Sequence, residues 1–222
     1  MYMKKLLVIC LFGMLLCCGG CRVAGALATP TQWETKIPAE YDLGKNKPQK
    51  MLVLVEQSSL TAVEVNIRLY LTKAIELFVV DRVGIKTEVF VPYQKLADMR
   101  SSLADFATLS PVEVGKALDA NIVLYVVIDN FGLYGLSDGG YYKGLLDTRS
   151  GLYDVASGQM LWPQTGELKA CSVGFEMQKE QEKAARRLAA SMAKCIGRNF
   201  YDCPKPEFKL ADEQKKDTTE SW

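Results

Sequence analysis

The reactive side chains of this sequence are seven cysteines and a scatter of carboxylates, and there is no histidine. Without histidine there is no Ser-His-Asp or Cys-His pair to activate a nucleophile. Histidine-ligated zinc is excluded, as is a side chain that titrates near neutrality unperturbed. Ser191 and Lys194 stand in the S-x-x-K spacing of serine acyltransferases. They fall late in an amphipathic helical pattern without the companion motifs of that chemistry, so the spacing reads as coincidence. Asp129, Asp147 and Asp154 are the carboxylates that a hydrolase could use as general acid and base, provided the fold gathers them in a pocket. Asp147 and Asp154, on one extended strand at an odd spacing, should face opposite sides, so turn and edge roles are expected of them. Gly132, Gly135, Gly139, Gly140 and Gly144 do not follow the spacing of a phosphate-cradling loop. No metal, no cofactor and no catalysis are expected.

The cysteines divide by position. Lys4 and Lys5, the apolar run from Leu6 to Leu16, and Gly19 and Gly20 are the three parts of a secretory signal. The run is shorter than the roughly 20 residues of a membrane span. Leu15-Leu16-Cys17-Cys18-Gly19-Gly20-Cys21 resembles the lipobox of bacterial lipoproteins, with Cys18 where that family prefers leucine. The resemblance implies cleavage before Cys21, lipid on its thiol, and a periplasm-facing protein of the cell envelope. Arg22 stands where the family's inner-membrane members carry aspartate, which points to the outer membrane. Export to an oxidising compartment permits a disulfide among Cys171, Cys195 and Cys203. Cys195 and Cys203 are the expected pair, one near the end of a helix and one just past it, with the third thiol buried.

Losing residues 1–20 removes two lysines and leaves 25 basic and 26 acidic residues, so no basic excess is available for nucleic acid. The remaining length suits one domain with tails. Residues 21–48, with Pro30, Pro38 and Pro48 and no clean period, are expected to be a tether; 49–203 a single domain; and 204–222 a charged tail, disordered from about Leu210.

Within the domain, Met51–Val55 is an unbroken apolar run, as in a strand covered on both faces. Thr61 and Glu64 fit a capping box ahead of a helix over Ala62–Val79. Thr87–Val91 reads as a second strand and Gln94–Leu103 as a short helix. Ser110-Pro111-Val112-Glu113 places a cap, an N1 proline and an N3 acid in order for another. Asn121–Ile128 should be the sheet centre, continuing to Tyr134. After a turn at Ser137–Gly140 the chain should return antiparallel from Tyr141 to Val155. Strands near Gln159–Trp162 and Leu168–Phe175 follow, then a helix over Gln178–Asn199 whose inner face is Ala184, Ala185, Leu188, Ala189, Met192 and Ile196. The order predicts an α/β (α+β) three-layer sandwich: a mixed sheet of about five strands with long first and last helices.

Met51–Val55, Ser110–Ile128 and the Asp154-x-x-x-Gly158 turn before Trp162 resemble the TolB amino-terminal-like group, which includes the curli-secretion (CsgG-like) and penicillin-binding-protein activator lipoproteins. The resemblance implies that fold and a lipoprotein setting. It does not carry over a membrane channel, which needs two long hairpins where this chain has only the compact Phe131–Asp147 region. Asn121 stands where the group has aspartate.

Tyr134, Tyr141 and Tyr142 flank the hairpin turn and are the candidate partner-binding residues. The expected function is therefore a non-catalytic, membrane-anchored envelope lipoprotein. Its domain would bind another envelope protein, or a second copy of itself, in assembly, secretion or transport. A small-ligand-binding module, requiring an apolar cavity beside the central strand, and a carboxylate-based hydrolase are the alternatives.

Overall fold

The computed structural model describes residues 35–57, 66–136 and 140–208. The lipobox with Cys21, the Thr61–Glu64 cap and the segment from Leu210 onward lie outside them. The described chain enters through β1 (Lys36–Ile37), which pairs antiparallel with β7 (Cys203–Pro204). The five-stranded sheet is mixed. β2 (Met51–Gln57) runs parallel to β3 (Ile122–Gly135), which is antiparallel to β4 (Tyr141–Asp154). Along its other edge β4 carries β5 (Met160–Trp162) and β6 (Lys169–Lys179), both antiparallel.

The apolar run of β2 and the first half of β3's are covered on both faces, as unbroken hydrophobicity demands. Met51, Val53, Val55, Leu124, Val126 and Ile128 point to one side. There they meet α1 (Ile67–Val83) and, after α2 (Tyr93–Ser102) and α3 (Pro111–Ala117), the last helix α4 (Gln181–Gly197). Leu52, Leu54 and Val123 point the other way, onto Leu96 of α2, Val114 of α3 and Phe106 between them. The result is the expected three-layer mixed α/β sandwich.

Local signals set the helix ends. The Asn66 side chain accepts the Leu69 N–H at 3.1 Å to start α1, and Gly84 ends it at φ 75°. Ser110 and Glu113 form the expected capping box: the Ser110 hydroxyl accepts the Glu113 N–H (3.3 Å), and the Glu113 carboxylate accepts the Ser110 N–H (2.7 Å). The six residues expected on the inner face of α4 are all buried.

Three expectations are corrected. Thr87–Val91 is not a strand: Thr87–Val89 is a 3-10 turn, and only Phe90 bridges to Met51. Pro92, which follows directly, has no N–H with which to extend a ladder. The disulfide joins Cys171 and Cys195, not Cys195 and Cys203. Cys171 lies on the side of β6 that packs beneath α4, and Cys195 is on the inner face of α4, so the two thiols meet across the layer boundary. Cys203 sits apart on β7, buried and free, and burial pushes its thiol pKa up.

The third correction concerns the domain boundary, because residues 35–48 are part of the domain and not tether. Leu43 is fully buried, and Glu40 and Tyr41 donate their N–H groups to the Asn199 carbonyl. The Glu40 carboxylate accepts the Trp162 indole N–H at 2.8 Å and pairs with Lys169. Burial pushes the Glu40 carboxyl up, but these partners together outweigh it and hold it below its ordinary value.

Candidate interaction surface

The second face of the sheet is only half covered. The apolar cluster under α2 and α3 reaches Val123 and Val155, with the half-buried Tyr125 packed at its edge. Farther along β3 and β4, among the described residues, the side chains on that face lie outside this cluster and include a polar group. A bulge between Ile128 and Asn130 breaks the register, and at it Asp129 meets Arg149 of β4 in a two-pronged pair, both distances 2.8 Å. Arg149 holds the Asp129 carboxyl below its ordinary range. One step on, Asn130, Asp147 and Ser172 lie directly opposite one another on β3, β4 and β6. Asn130 donates to Asp147 at 3.3 Å, and the Ser172 hydroxyl donates to the other carboxylate oxygen.

Beyond this polar ladder the surface turns apolar again. Tyr134 is 51% exposed, Leu136 41% and Tyr141 40%. Strand alternation puts all three on the uncovered face, with Leu136 across from Tyr141, whose carbonyl accepts the Leu136 N–H at 2.8 Å. They are three of the five large exposed hydrophobic residues among the described residues. Gly132 makes room for this arrangement, since a Cβ there would lie 2.6 Å from the Tyr134 hydroxyl. The Tyr134 ring therefore lies down along its own strand over the bare glycine backbone.

Of the three tyrosines singled out by sequence, the structure brings together Tyr134 and Tyr141. Tyr142 is paired with Gly135 and alternation turns it to the opposite face, so it does not join the patch. Leu136 does, and sequence reasoning missed it. The available signal was the alternation Tyr134-Gly135-Leu136, which places residue 136 on the face of residue 134.

Of the three carboxylates, Asp129 and Asp147 are neighbours in the polar ladder and Asp154 is apart from them. Asp154 lies at the far end of β4, where its carboxylate accepts the Ser157 N–H and hydroxyl at 2.7 and 2.6 Å and fixes the turn to Gly158. These bonds hold its carboxyl below the ordinary value. Asp129 and Asp147 are each engaged as described. Among the described residues no group of three or more acids and cysteines could hold a metal ion, and no helix is long and apolar enough to cross a membrane.

A groove of about 570 Å³ runs along the outside of the helix layer, between α1 and α4. Leu69, Ala74, Leu77, Phe78, Ala190 and Ala193 line it, with Lys73, Arg186 and Lys194 at its rim. The helices close on each other at one end, where a Cβ on Gly197 would fall 2.3 Å from the Phe78 ring.

No protein-family model matches the chain, and no curated protein does. Among solved structures, lipoprotein GNA1162 from Neisseria meningitidis is similar at TM-score 0.41 and 16% identity, over 68% of this chain and 99% of that one. A PelC dodecamer from Paraburkholderia phytofirmans gives 0.39 and 13%, over 75% and 94%. The LpoB C-terminal domain from Salmonella enterica gives 0.32 and 12%, over 58% and 84%.

Proposed function

We propose that this protein is a non-catalytic envelope lipoprotein, anchored through Cys21, which holds another envelope protein against the uncovered sheet face. The observation that carries the reading is the coincidence of Tyr134, Leu136 and Tyr141, all exposed, at the end of a sheet face that no described helix covers. Exposed apolar residues gathered beside polar groups are what partner surfaces present. The polar ladder next to them supplies donors and acceptors that fix register without a catalytic geometry. A hydrolase would need a carboxylate kept near neutral pKa as acid or base. Asp129 and Asp154 are instead held low by partners that satisfy them.

The lipobox supports the anchor, and Arg22 favours the outer membrane. The element order and the Asp154–Gly158–Trp162 turn support kinship with the TolB amino-terminal-like, CsgG-like group, and with it a role in assembly, secretion or transport. In-cell crosslinking followed by mass spectrometry tests the binding reading. Wild-type protein should yield one dominant envelope partner, or a second copy of itself. Tyr134→Ser with Tyr141→Ser should lose that product while keeping wild-type abundance; retention of the product contradicts the reading. Cys21→Ala should abolish uptake of labelled lipid and release the protein from the membrane fraction; unchanged uptake contradicts the anchor.

A further inference from the structure

The charge of the chain is nearly balanced, yet it is not evenly placed. α1 and α4 together carry seven of the 27 basic residues but only three of the 26 acidic ones, a surplus of +4 against −3 for everything else. The basic side chains are Arg68, Lys73 and Arg82 on α1 and Lys183, Arg186, Arg187 and Lys194 on α4. The acids are largely spent within the layer: Glu76 pairs with Lys73 at 2.8 Å and Glu182 with Arg186 at 2.7 Å. Glu180 and Glu207, just outside the two helices, pair with Lys183 at 2.8 Å and Arg82 at 3.3 Å, and with them counted the layer keeps a surplus of +2.

This layer also holds the groove. Leu77, at its centre, is 63% exposed, the highest value among the large exposed hydrophobic residues described. An apolar strip bordered by cations is the surface of an interfacial helix pair. Its complement is a plane that is negative outside and apolar just beneath.

The position at which the described chain begins agrees. Thr35, the first described residue, accepts the Lys205 N–H at 2.9 Å, and two residues on Glu207 pairs with Arg82 at the end of α1. Thr35, 14 positions after Cys21, thus lies near the end of α1 at the edge of the helix layer. The 13 residues between them can span at most about 45 Å.

We infer that the α1–α4 layer is a membrane-facing surface, which lies against an anionic bilayer with Leu77 at the acyl boundary and Lys73, Arg186 and Lys194 among the headgroups. Each cation near such a surface contributes about 1 kcal/mol, screened by salt. A lipid on Cys21 and this patch would be two signals on one domain, the combination that gives stable membrane attachment. The geometry then sends the uncovered face of the sheet, with Tyr134, Leu136 and Tyr141, away from the bilayer and toward a partner.

The inference rests on the anchored reading for its setting, and its test does not use the anchor. Residues 21–222 carrying Cys21→Ser, with no acyl chain, are mixed with phosphatidylcholine vesicles containing about 30% phosphatidylglycerol, and with pure phosphatidylcholine vesicles. Co-flotation is expected with the anionic vesicles only, weakening about tenfold between low and physiological salt. Lys73→Glu with Lys194→Glu should weaken it by more than about tenfold, and Leu77→Asp, at an exposed site that leaves folding intact, by about tenfold. Equal binding to both vesicle types, no binding at low salt, or indifference to the charge reversals overturns the inference. Binding of an acidic peptide to the groove without binding of vesicles does so as well. Failure here leaves the lipidation of Cys21 standing, and failure of lipid labelling leaves the vesicle result standing.

Discussion

The two faces of the sheet are built from the same strands and finished differently. On one face, Val53, Leu124, Val126 and Ile128 are sealed under α1 and α4, with Trp162 stacked edge-on against Phe200 at 4.9 Å. On the other, the seal of α2 and α3 ends at Tyr125 and Val155, and among the described residues the strands run on bare. The sealed face takes alternate residues that are almost all aliphatic. The bare stretch takes Asp129, Asn130, Asp147 and Arg149, and then tyrosines. Energetically this divides the molecule: folding free energy is concentrated where apolar area is removed from water, while the bare stretch is free to serve recognition.

The sharpest way to break this comparison is a matched pair of truncations. Leu124→Ala, on the sealed face and fully buried, should cost about 2–5 kcal/mol in urea unfolding. Val127→Ala, on the bare face, should cost less than about 1.5 kcal/mol. Similar costs would mean that the two faces are not distinct. Next in size is the tie between β6 and α4. Replacing Cys171 and Cys195 together by serine should cost about 3 kcal/mol, from the loop of 24 residues that their bond closes. Thermal melts with and without reductant read the effect, and wild-type protein under reductant should fall with the double variant.

The smallest expected effect is on the bare face. The folded pKa of Asp129 lies below its unfolded value because of Arg149. Its contribution to stability is thus present above the ordinary carboxylate pKa and is lost as pH falls through the depressed one. Asp129→Asn should cost under about 1 kcal/mol near neutrality, as for other solvent-accessible pairs, and nothing once the pH is below both values. A pH series of unfolding midpoints for both proteins should therefore converge in acid.

Much of the sealed face was legible in the chain. The runs Met51–Val55 and Asn121–Ile128 are too uniformly apolar to be anything but core strands, and the α4 stripe has one period. The capping box at Ser110 is a local code and read correctly. What failed was long-range. Cys195 and Cys203 are near in sequence, but pairing depends on which face of β6 looks at α4. Residues 35–48 look like a tether because what binds them is polar and distant: Glu40 meets Trp162 across 122 positions. The site was half legible. Tyr134 and Tyr141 stood out as aromatics by a turn, whereas the rejection of Tyr142 and the gain of Leu136 required strand alternation to be followed through the hairpin. The basic surplus of the helix layer was hidden because a net charge sums α1 and α4 with everything between them.

One measurement tests the division of faces directly. A photo-crosslinking amino acid is placed in cells at Tyr134, at Tyr141 or at Leu77, all exposed. Crosslinks from positions 134 and 141 should converge on the same protein, while position 77 should yield lipid adducts and little of that protein. A partner captured from position 77, with positions 134 and 141 silent, would contradict the assignment of the bare sheet face to recognition.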